Sequence, residues 1–325
     1  MESSLLKVAM INDCSFIGET ILSYLPNDIE KQQIKRTRQL WSKTIGIAYA
    51  IMRLRADIYH VHYLLQDCDL ALRLGKTPLV GHAHGSDVRR GLLHPIWKLT
   101  VIRALKCCNR IFVSTPDILE RAKDYRPDAE YLPNPVDTIL FYPKPLKSHE
   151  GKLRVLIASD SNWQVKGTDM AIRALSRLNE TIDLSIIAHG KDLERTVLLA
   201  KSLRLPLNIL QRVPHRDMRE YYWSSDVVID SFRLGSLGMI SLEAISCGRP
   251  VVTYISSRYP QYSGFPLKNI NTEDGIIASI QEAGLNLWEL ENSYLKDNHN
   301  PQLIVKRLLT VYDQLAHTGN DVKES

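Results

Sequence analysis

The segment Asp230-Ser-Phe-Arg-Leu-Gly235-Ser-Leu-Gly238-Met239-Ile240-Ser-Leu-Glu243 runs from an apolar stretch, through a loop with two glycines, into a helical pattern that Gly248-Arg-Pro250 stops. Backbone N–H groups at such a helix start, those of Met239 and Ile240, have no intrahelical acceptor, and the positive end of the helix dipole lies with them. They suit a diphosphate, and Gly235 and Gly238 let the backbone approach it closely. Glu243, about one turn in, can accept two hydrogen bonds from a cis-diol such as a ribose. The same residues equally describe a plain turn whose glutamate offsets the helix dipole. Upstream, Ala158-Ser159-Asp160-Ser161-Asn162-Trp-Gln-Val-Lys166-Gly167 sets a lysine before a glycine at another strand-to-helix turn. There its ammonium would neutralise phosphate and stabilise a departing diphosphate. A third turn, His82-Ala-His84-Gly-Ser-Asp87, leaves an imidazole and a carboxylate at the end of a strand.

Such groups need strand ends to hold them, because ligands of open parallel sheets bind at the carboxyl edge. Short runs rich in Val, Ile and Leu alternate with helical patterns along the whole chain, which predicts an α/β fold with helices on both faces of parallel sheets. In the first half the strands are expected at Lys7–Ile11, Ile58–Val61, Pro78–Ala83 and Arg110–Ser114. In the second half they are expected at Leu153–Ala158, Asp183–Ala188, Leu207–Gln211, Asp226–Asp230 and Pro250–Tyr254. The proline-rich, polar stretch Tyr142 to Gly151 reads as a linker, giving doubly wound domains over 1–145 and 152–300. A helix over about 301–316 carries Leu303, Ile304, Leu308, Leu309, Val311, Tyr312 and Leu315 on one broad stripe and needs a surface to cover.

The Gly238–Glu243 stretch resembles the donor loop of retaining glycosyltransferases of family 4, whose GT-B fold is two facing Rossmann-like domains. The family pattern is Glu, seven residues, Glu-Ala, a small-residue turn and Gly-x-Pro-Val. Here Glu243-Ala and Gly248-Arg-Pro250-Val match, while the first Glu is replaced by Gly235. The resemblance implies that Glu243 holds the ribose of the donor nucleotide and that Lys166-Gly167 holds its phosphates. The family's Arg, which precedes that lysine, falls near Asp160, which cannot serve. Ser159, Ser161 and Asn162 are then candidate neutral donors, with Arg233 or Arg249 for the missing charge. Arg212-Val213-Pro-His215 sits where the family holds the base, although a proline loop there is also plain punctuation.

His84-Gly-Ser-Asp87 resembles the family's His-Gly-x-Asp turn, which implies that His84 acts near the reacting carbon and that Asp87 supports it. On the acceptor side the resemblance points to Gly18, in the loop after the first strand. It also points to Asn134, framed by two prolines that would make a rigid turn with or without a ligand. The terminal helix of this fold returns to the first domain. The implied reaction is retaining transfer of a sugar from a nucleotide-diphosphate donor to an unidentified hydroxyl acceptor, in a cleft between closing domains. Lys166, Glu243, His84 and Asp87 would carry it, with the nucleotide sugar as co-substrate, no cofactor and no metal. A nucleotide-sugar epimerase of the same fold lacks its expected dense set of acidic residues here. A non-catalytic subunit that binds a nucleotide sugar stays open because of Asp160 and Gly235.

The bulk properties bound these readings. A chain of 325 residues is long for one core and comfortable for two. No apolar run is long enough to span a bilayer and the start lacks the form of a signal peptide, so a cytoplasmic protein is expected. Five cysteines without Cys-x-x-Cys spacing read as reduced thiols. The net charge of +5 lies wholly in residues 1–150, with 21 Lys/Arg against 16 Asp/Glu. No pattern for nucleic acid is read. The basic stretch 31–55, interleaved with apolar residues, suits either a helix with a solvated basic face or peripheral attachment to an anionic membrane. His60-Val-His62 and His82-Ala-His84 could together present four imidazoles to zinc, but no carboxylate or cysteine at suitable spacing completes an open catalytic site.

Overall fold

The computed structural model describes residues 5–36, 45–146 and 150–321, apart from the side chains of 318–321. The chain forms two compact units, one running to Pro135 and resuming at Pro301, the other spanning Val136–Asn300.

The sheet of the first unit holds β1 (Lys7–Ile11), β2 (Glu30–Ile34), β3 (Ile58–His62), β4 (Leu79–Ala83), β5 (Arg110–Val113) and β6 (Glu130–Tyr131). Their order is β2-β1-β3-β4-β5-β6, and every pair is parallel. Because side chains alternate across a strand, Ala9, Ile11, Tyr59, Val61, Leu79 and Ala83 join one core. That core is closed by α2 (Ile45–Arg53), α3 (Gln66–Arg73), α5 (Trp97–Cys107) and α6 (Leu119–Lys123), with the short α4 (Ser86–Gly91) leading into α5. Helices α1 (Ile17–Tyr24) and α13 (Pro301–Asp321) pack on each other, and α13 also packs on β3. Ile304, Leu308, Val311 and Tyr312 of the expected stripe are buried, whereas Leu303 is exposed. The Tyr312 hydroxyl meets His60 Nδ1 at 2.6 Å, and Arg307 donates to Tyr131 O at 2.8 Å.

Two strands of this sheet are absent from the sequence expectation. Strand β2 reads Glu-Lys-Gln-Gln-Ile and is half-buried at every position, so it shows no alternation; charged, polar residues are usual on a sheet edge. Strand β6 is only two residues long. The basic stretch 31–55 is therefore not one helix. Lys31–Ile34 lie in β2 and α2 begins at Ile45, while Arg38, Leu40, Trp41 and Lys43 lie outside the described residues.

The second unit contains β7 (Leu153–Ile157), β8 (Ile182–Ile187), β9 (Asn208–Leu210), β10 (Val227–Ile229) and β11 (Val251–Val252), all parallel in the order β11-β10-β7-β8-β9. That is a Rossmann order about a central first strand, which opens a crevice between the loops after β7 and β10. Helices α7 (Thr168–Ser176), α8 (Leu193–Ser202) and α11 (Glu273–Glu282) cover one face; α9 (Met218–Trp223), α10 (Met239–Ser246) and α12 (Leu285–Asn298) cover the other. The unit starts earlier than the proline signal suggests. Val136 and Phe141 are buried in its core, Ser246 Oγ donates to Phe141 O, and Arg249 donates to Lys144 O at 2.9 Å. The prolines mark an extended strap held by the second unit, and the division falls at Pro135 and Val136 rather than near residue 145.

All five cysteines are free thiols, four of them buried. Among the described residues no helix is long and apolar enough to cross a membrane. Tyr312→Phe removes the buried partner of His60 Nδ1 and should lower the stability of the first unit by about 1–3 kcal/mol in urea unfolding. Leu303→Ala, on the exposed side of the same helix, should change it by less than about 0.5 kcal/mol.

Candidate functional site

The crevice at the carboxyl edge of the second unit is organised around the carboxylate of Asp230, whose side chain is fully buried. Its Oδ1 takes an ion pair from Lys166 Nζ at 2.7 Å, and its Oδ2 accepts from Ser241 Oγ, in the first turn of α10, at 2.9 Å. Gly238 caps that helix, and a Cβ there would lie 2.5 Å from Asp230 Oδ2 and 3.6 Å from Lys166 Nζ. The ammonium thus stands beside the helix start, where the first-turn amides of Met239 and Ile240 have no intrahelical acceptor. Gly167 caps α7 at φ 71°, and Lys166 O accepts from Phe232 N at 2.8 Å, which fixes one loop upon the other.

Gly235 has φ 69°, and a Cβ on it would come within 2.8 Å of Ser256 Cβ and 3.0 Å of Tyr254 Cε1. The departure from the family pattern is thus built into the backbone: Tyr254 and Ser256 take up the space that a side chain would need. Of the two arginines suggested for the missing charge, Arg249 is excluded. It is buried and donates to the carbonyls of Ser225, Lys144, Cys247, Gly248 and Trp223, stitching the strap to the end of α10. Arg233 instead lies against Gly167 and 3.6 Å from Asp169, half open to solvent. Ser159 and Asn162 hold the loop together: Ser159 Oγ donates to Asp230 O at 2.7 Å, and Asn162 Oδ1 accepts from Val165 N at 3.1 Å. Ser161 is buried, and its Oγ has no hydrogen-bond partner among the described residues.

Glu243 is only 2% exposed. Its Oε1 is 2.7 Å from His215 Nε2, and its Oε2 accepts from Tyr222 OH at 2.8 Å. Burial and the neighbouring Glu243 carboxylate push the Tyr222 phenol well above its ordinary range, so it stays a donor. His215 brings the Arg212–His215 loop to this carboxylate, with Arg212 exposed and Val213 packed on the core. A carboxylate oxygen has two lone pairs, so each still has room for one further donor.

In the first unit, the four histidines stack together, His60, His62 and His82 buried and His84 half-buried. His60 and His62 rings lie 4.9 Å apart at 5°, His62 and His84 5.1 Å apart at 14°, and His82 and His84 4.4 Å apart at 33°. His60 Nε2 meets His82 Nδ1 at 3.2 Å, and His62 Nδ1 meets His84 Nε2 at 2.9 Å. Burial lowers all four below the ordinary imidazole range, His62 to about 4, so the stack is neutral. The potential ligand atoms of His60, His62 and His82 lie within 4.8 Å of one another, and an ion shared among them would have to displace the His60–His82 bond.

Asp87 is buried and acts on backbone alone, accepting from Leu64 N at 3.0 Å, Val88 N at 3.0 Å and His84 N at 3.1 Å. It positions His84 and presents no oxygen outward. The loop after β1 holds Asn12, Ser15 and Phe16 at positive φ, and Tyr63 after β3 does the same. Such outliers concentrate at ligand-binding edges. Gly18 N donates to Asp13 Oδ1 at 2.8 Å, and a Cβ on Gly18 would reach His62 Nε2 at 3.0 Å. The glycine is there because the imidazole lies against the helix start. Asn134 is buried in the same unit.

Comparison with known proteins places these turns in a wider group. Residues 141–264 match the family described as "Glycosyl transferases group 1", and residues 28–140 match "Glycosyltransferase Family 4". A curated relative, the GDP-mannose-dependent alpha-(1-6)-phosphatidylinositol monomannoside mannosyltransferase of Mycolicibacterium smegmatis, is 28% identical over 214 residues. That stretch is 59% of this chain and 56% of the relative, so the match spans little more than half of the relative's length. Among solved structures, sucrose-phosphate synthase from Thermosynechococcus elongatus superposes with a TM-score of 0.73 at 13% identity, over 96% of this chain and 100% of that one. Anabaena Alr3699/HepE in complex with UDP and glucose gives 0.74 at 11% identity, over 95% and 100%. At such identities the likeness establishes the GT-B fold.

Restoring the glutamate by Gly235→Glu should destabilise the second unit by about 2 kcal/mol or more, since the residue would be both strained and clashing. Urea unfolding checks the loss, and a stable variant would show that the loop can yield. The imidazole stack sets a pH dependence. Unfolded imidazole takes its proton near pH 6.5, whereas His62 in the fold does so near 4. Stability of the first unit should therefore fall as pH drops through this window, His62 alone contributing about 3 kcal/mol. In the second unit Glu291, pushed up by burial, acts with the opposite sign. Hydrogen exchange of β3 and β4 amides against those of β10 and β11, across about pH 7 to 5, should separate the two.

Proposed function

The chain belongs to the group 1 glycosyltransferases of family 4, and from that membership we propose that it transfers a sugar from a nucleoside-diphosphate donor to a hydroxyl acceptor with retention. The observation that carries this reading is the Lys166 ammonium, held by buried Asp230 beside the glycine-capped start of α10. Breaking the bond between the anomeric carbon and the diphosphate places negative charge on the leaving oxygen. Lys166 and the amides of Met239 and Ile240 supply positive charge there without having to reorganise. The acceptor hydroxyl attacks from the face the diphosphate leaves, and its proton passes to the departing phosphate oxygen. Glu243, fixed by His215 and Tyr222, takes the ribose hydroxyls, and Val213 and Arg212 flank the base. His84, seated by Asp87 and kept neutral within its stack, acts on the first unit as a hydrogen-bonding group rather than a cation.

UDP- and GDP-sugars are the donors to test first, since the mycobacterial relative is GDP-mannose-dependent and the Anabaena protein is seen in complex with UDP. The mycobacterial relative is named for a phosphatidylinositol mannoside, which makes lipid-linked polyols the first acceptor class. The absence of a carboxylate at Gly235 favours one second reading, a subunit that binds a nucleotide sugar without transferring it.

A panel of labelled nucleotide sugars, assayed for binding and for nucleotide release with mixed acceptors, tests both readings. Glu243→Gln, which keeps the side chain's shape, should weaken donor binding about tenfold. His84→Ala should lower kcat by about a hundredfold or more with little change in donor affinity. Tight donor binding with no release or transfer in any mixture would establish the second reading instead.

A further inference from the structure

Leu93, Ile96 and Leu99 are 76%, 72% and 75% exposed, three of the four most open large apolar side chains among the described residues. They fall in one short segment of the first unit, Leu92-Leu93-His94-Pro95-Ile96-Trp97-Lys98-Leu99, between α4 and the first turn of α5. The segment is held by its own backbone: Leu93 N donates to Arg90 O at 3.1 Å, His94 N to Gly91 O at 3.2 Å and Lys98 N to His94 O at 3.0 Å. Its apolar groups are therefore presented outward by a fixed turn. The outer side of the helix layer continues the feature, because α3 packs between α2 and α5 and α2 exposes Ile45, Tyr49 and Met52.

The stretch that builds this layer carries a surplus of positive charge, although Arg89 pairs with Asp117 and Lys76 is buried. From Ile45 to Cys107 the chain carries nine Lys/Arg against four Asp, and all four acids are engaged. Asp57 accepts from Lys7 N, Asp67 pairs with Arg36, Asp69 pairs with both Arg73 and Arg103, and Asp87 is buried against backbone. Arg90, Lys98 and Lys106, all exposed around the apolar turn, form no ion pair among the described residues. Fixed apolar side chains, a tryptophan at their border and an unbalanced cationic surround match the chemistry of an anionic bilayer surface. They do not match a second copy of the chain, since a two-fold contact would set the positive surplus against itself. We propose that the Leu93–Leu99 turn, backed by α2 and α5, docks the first unit on anionic phospholipid. This surface lies outside the donor-binding residues, and the proposal stands whatever sugar the chain transfers.

Cosedimentation with vesicles of phosphatidylcholine alone, or of phosphatidylcholine with phosphatidylglycerol, at low and high salt, tests this on the full chain. The protein should bind the mixed vesicles at low salt, and about tenfold less in high salt or without the anionic lipid. Leu93→Ser/Ile96→Ser/Leu99→Ser should reduce that binding at least about tenfold, while Leu198→Ser, an exposed site in the second unit, should leave it unchanged. Should the triple variant fail to fold, Lys98→Glu/Lys106→Glu decides the matter and should weaken binding in the same direction. Equal binding to both vesicles, no binding, or variants that bind like wild type would overturn the proposal. So would sedimentation equilibrium showing a dimer that the serine variant dissociates, since the apolar turn would then serve self-association.

Discussion

A single buried carboxylate, that of Asp230, sets the geometry of the second unit's ligand edge. A charge removed from water must be matched within the fold, and here it is matched by one ammonium and one hydroxyl from different elements. That requirement reaches outward in several directions. It draws Lys166 to the helix start before any ligand arrives, seats the first turn of α10 through Ser241, and leaves no space for a side chain at position 238. The carbonyl of the same residue receives Ser159 Oγ, so the ends of β7 and β10 are tied by one amino acid. A lysine on a flexible stem would lose conformational entropy when it met a phosphate; one already paired has lost most of it on folding.

The first unit reaches a similar rigidity by other means. Asp87 joins three backbone amides, from the loop after β3, the turn after β4 and the start of α4, and the imidazoles are fixed by one another and by Tyr312. Neutral rings in contact tolerate burial that four cations would not, and their depressed proton affinity follows from that burial. The second unit therefore carries its positive charge at the ligand edge as a salt bridge, while the first presents polar but uncharged rings.

Much of this was legible in the residues. Strands with central positions in their sheets are mostly apolar and stand out from their surroundings, as do the glycine turns after them. What stayed hidden has identifiable causes. Strand β2 is polar because it is an edge, and β6 is too short to show a period. The extended strap before residue 147 reads as a linker because prolines punctuate it, yet Phe141 decides its allegiance through burial, which spacing does not reveal. Arg249 looked available as a cation because nothing in the sequence says that five backbone carbonyls converge on it. Asp230 itself was visible as a strand end, but its role depends on Lys166, 64 positions earlier, and such pairings arise only from the fold.

The last helix belongs to the first unit, and this has a consequence for how the chain is made on the ribosome. When residues up to Pro135 have emerged, the face of β3 that carries His60 still lacks α13, and its imidazole has no phenol to meet. The second unit, by contrast, is contiguous from Val136 to Asn300 and has every strand and helix it needs once that stretch is complete. Order of synthesis and order of completion are thus inverted: the unit encoded in the middle can close first, and the unit that begins the chain waits for its end.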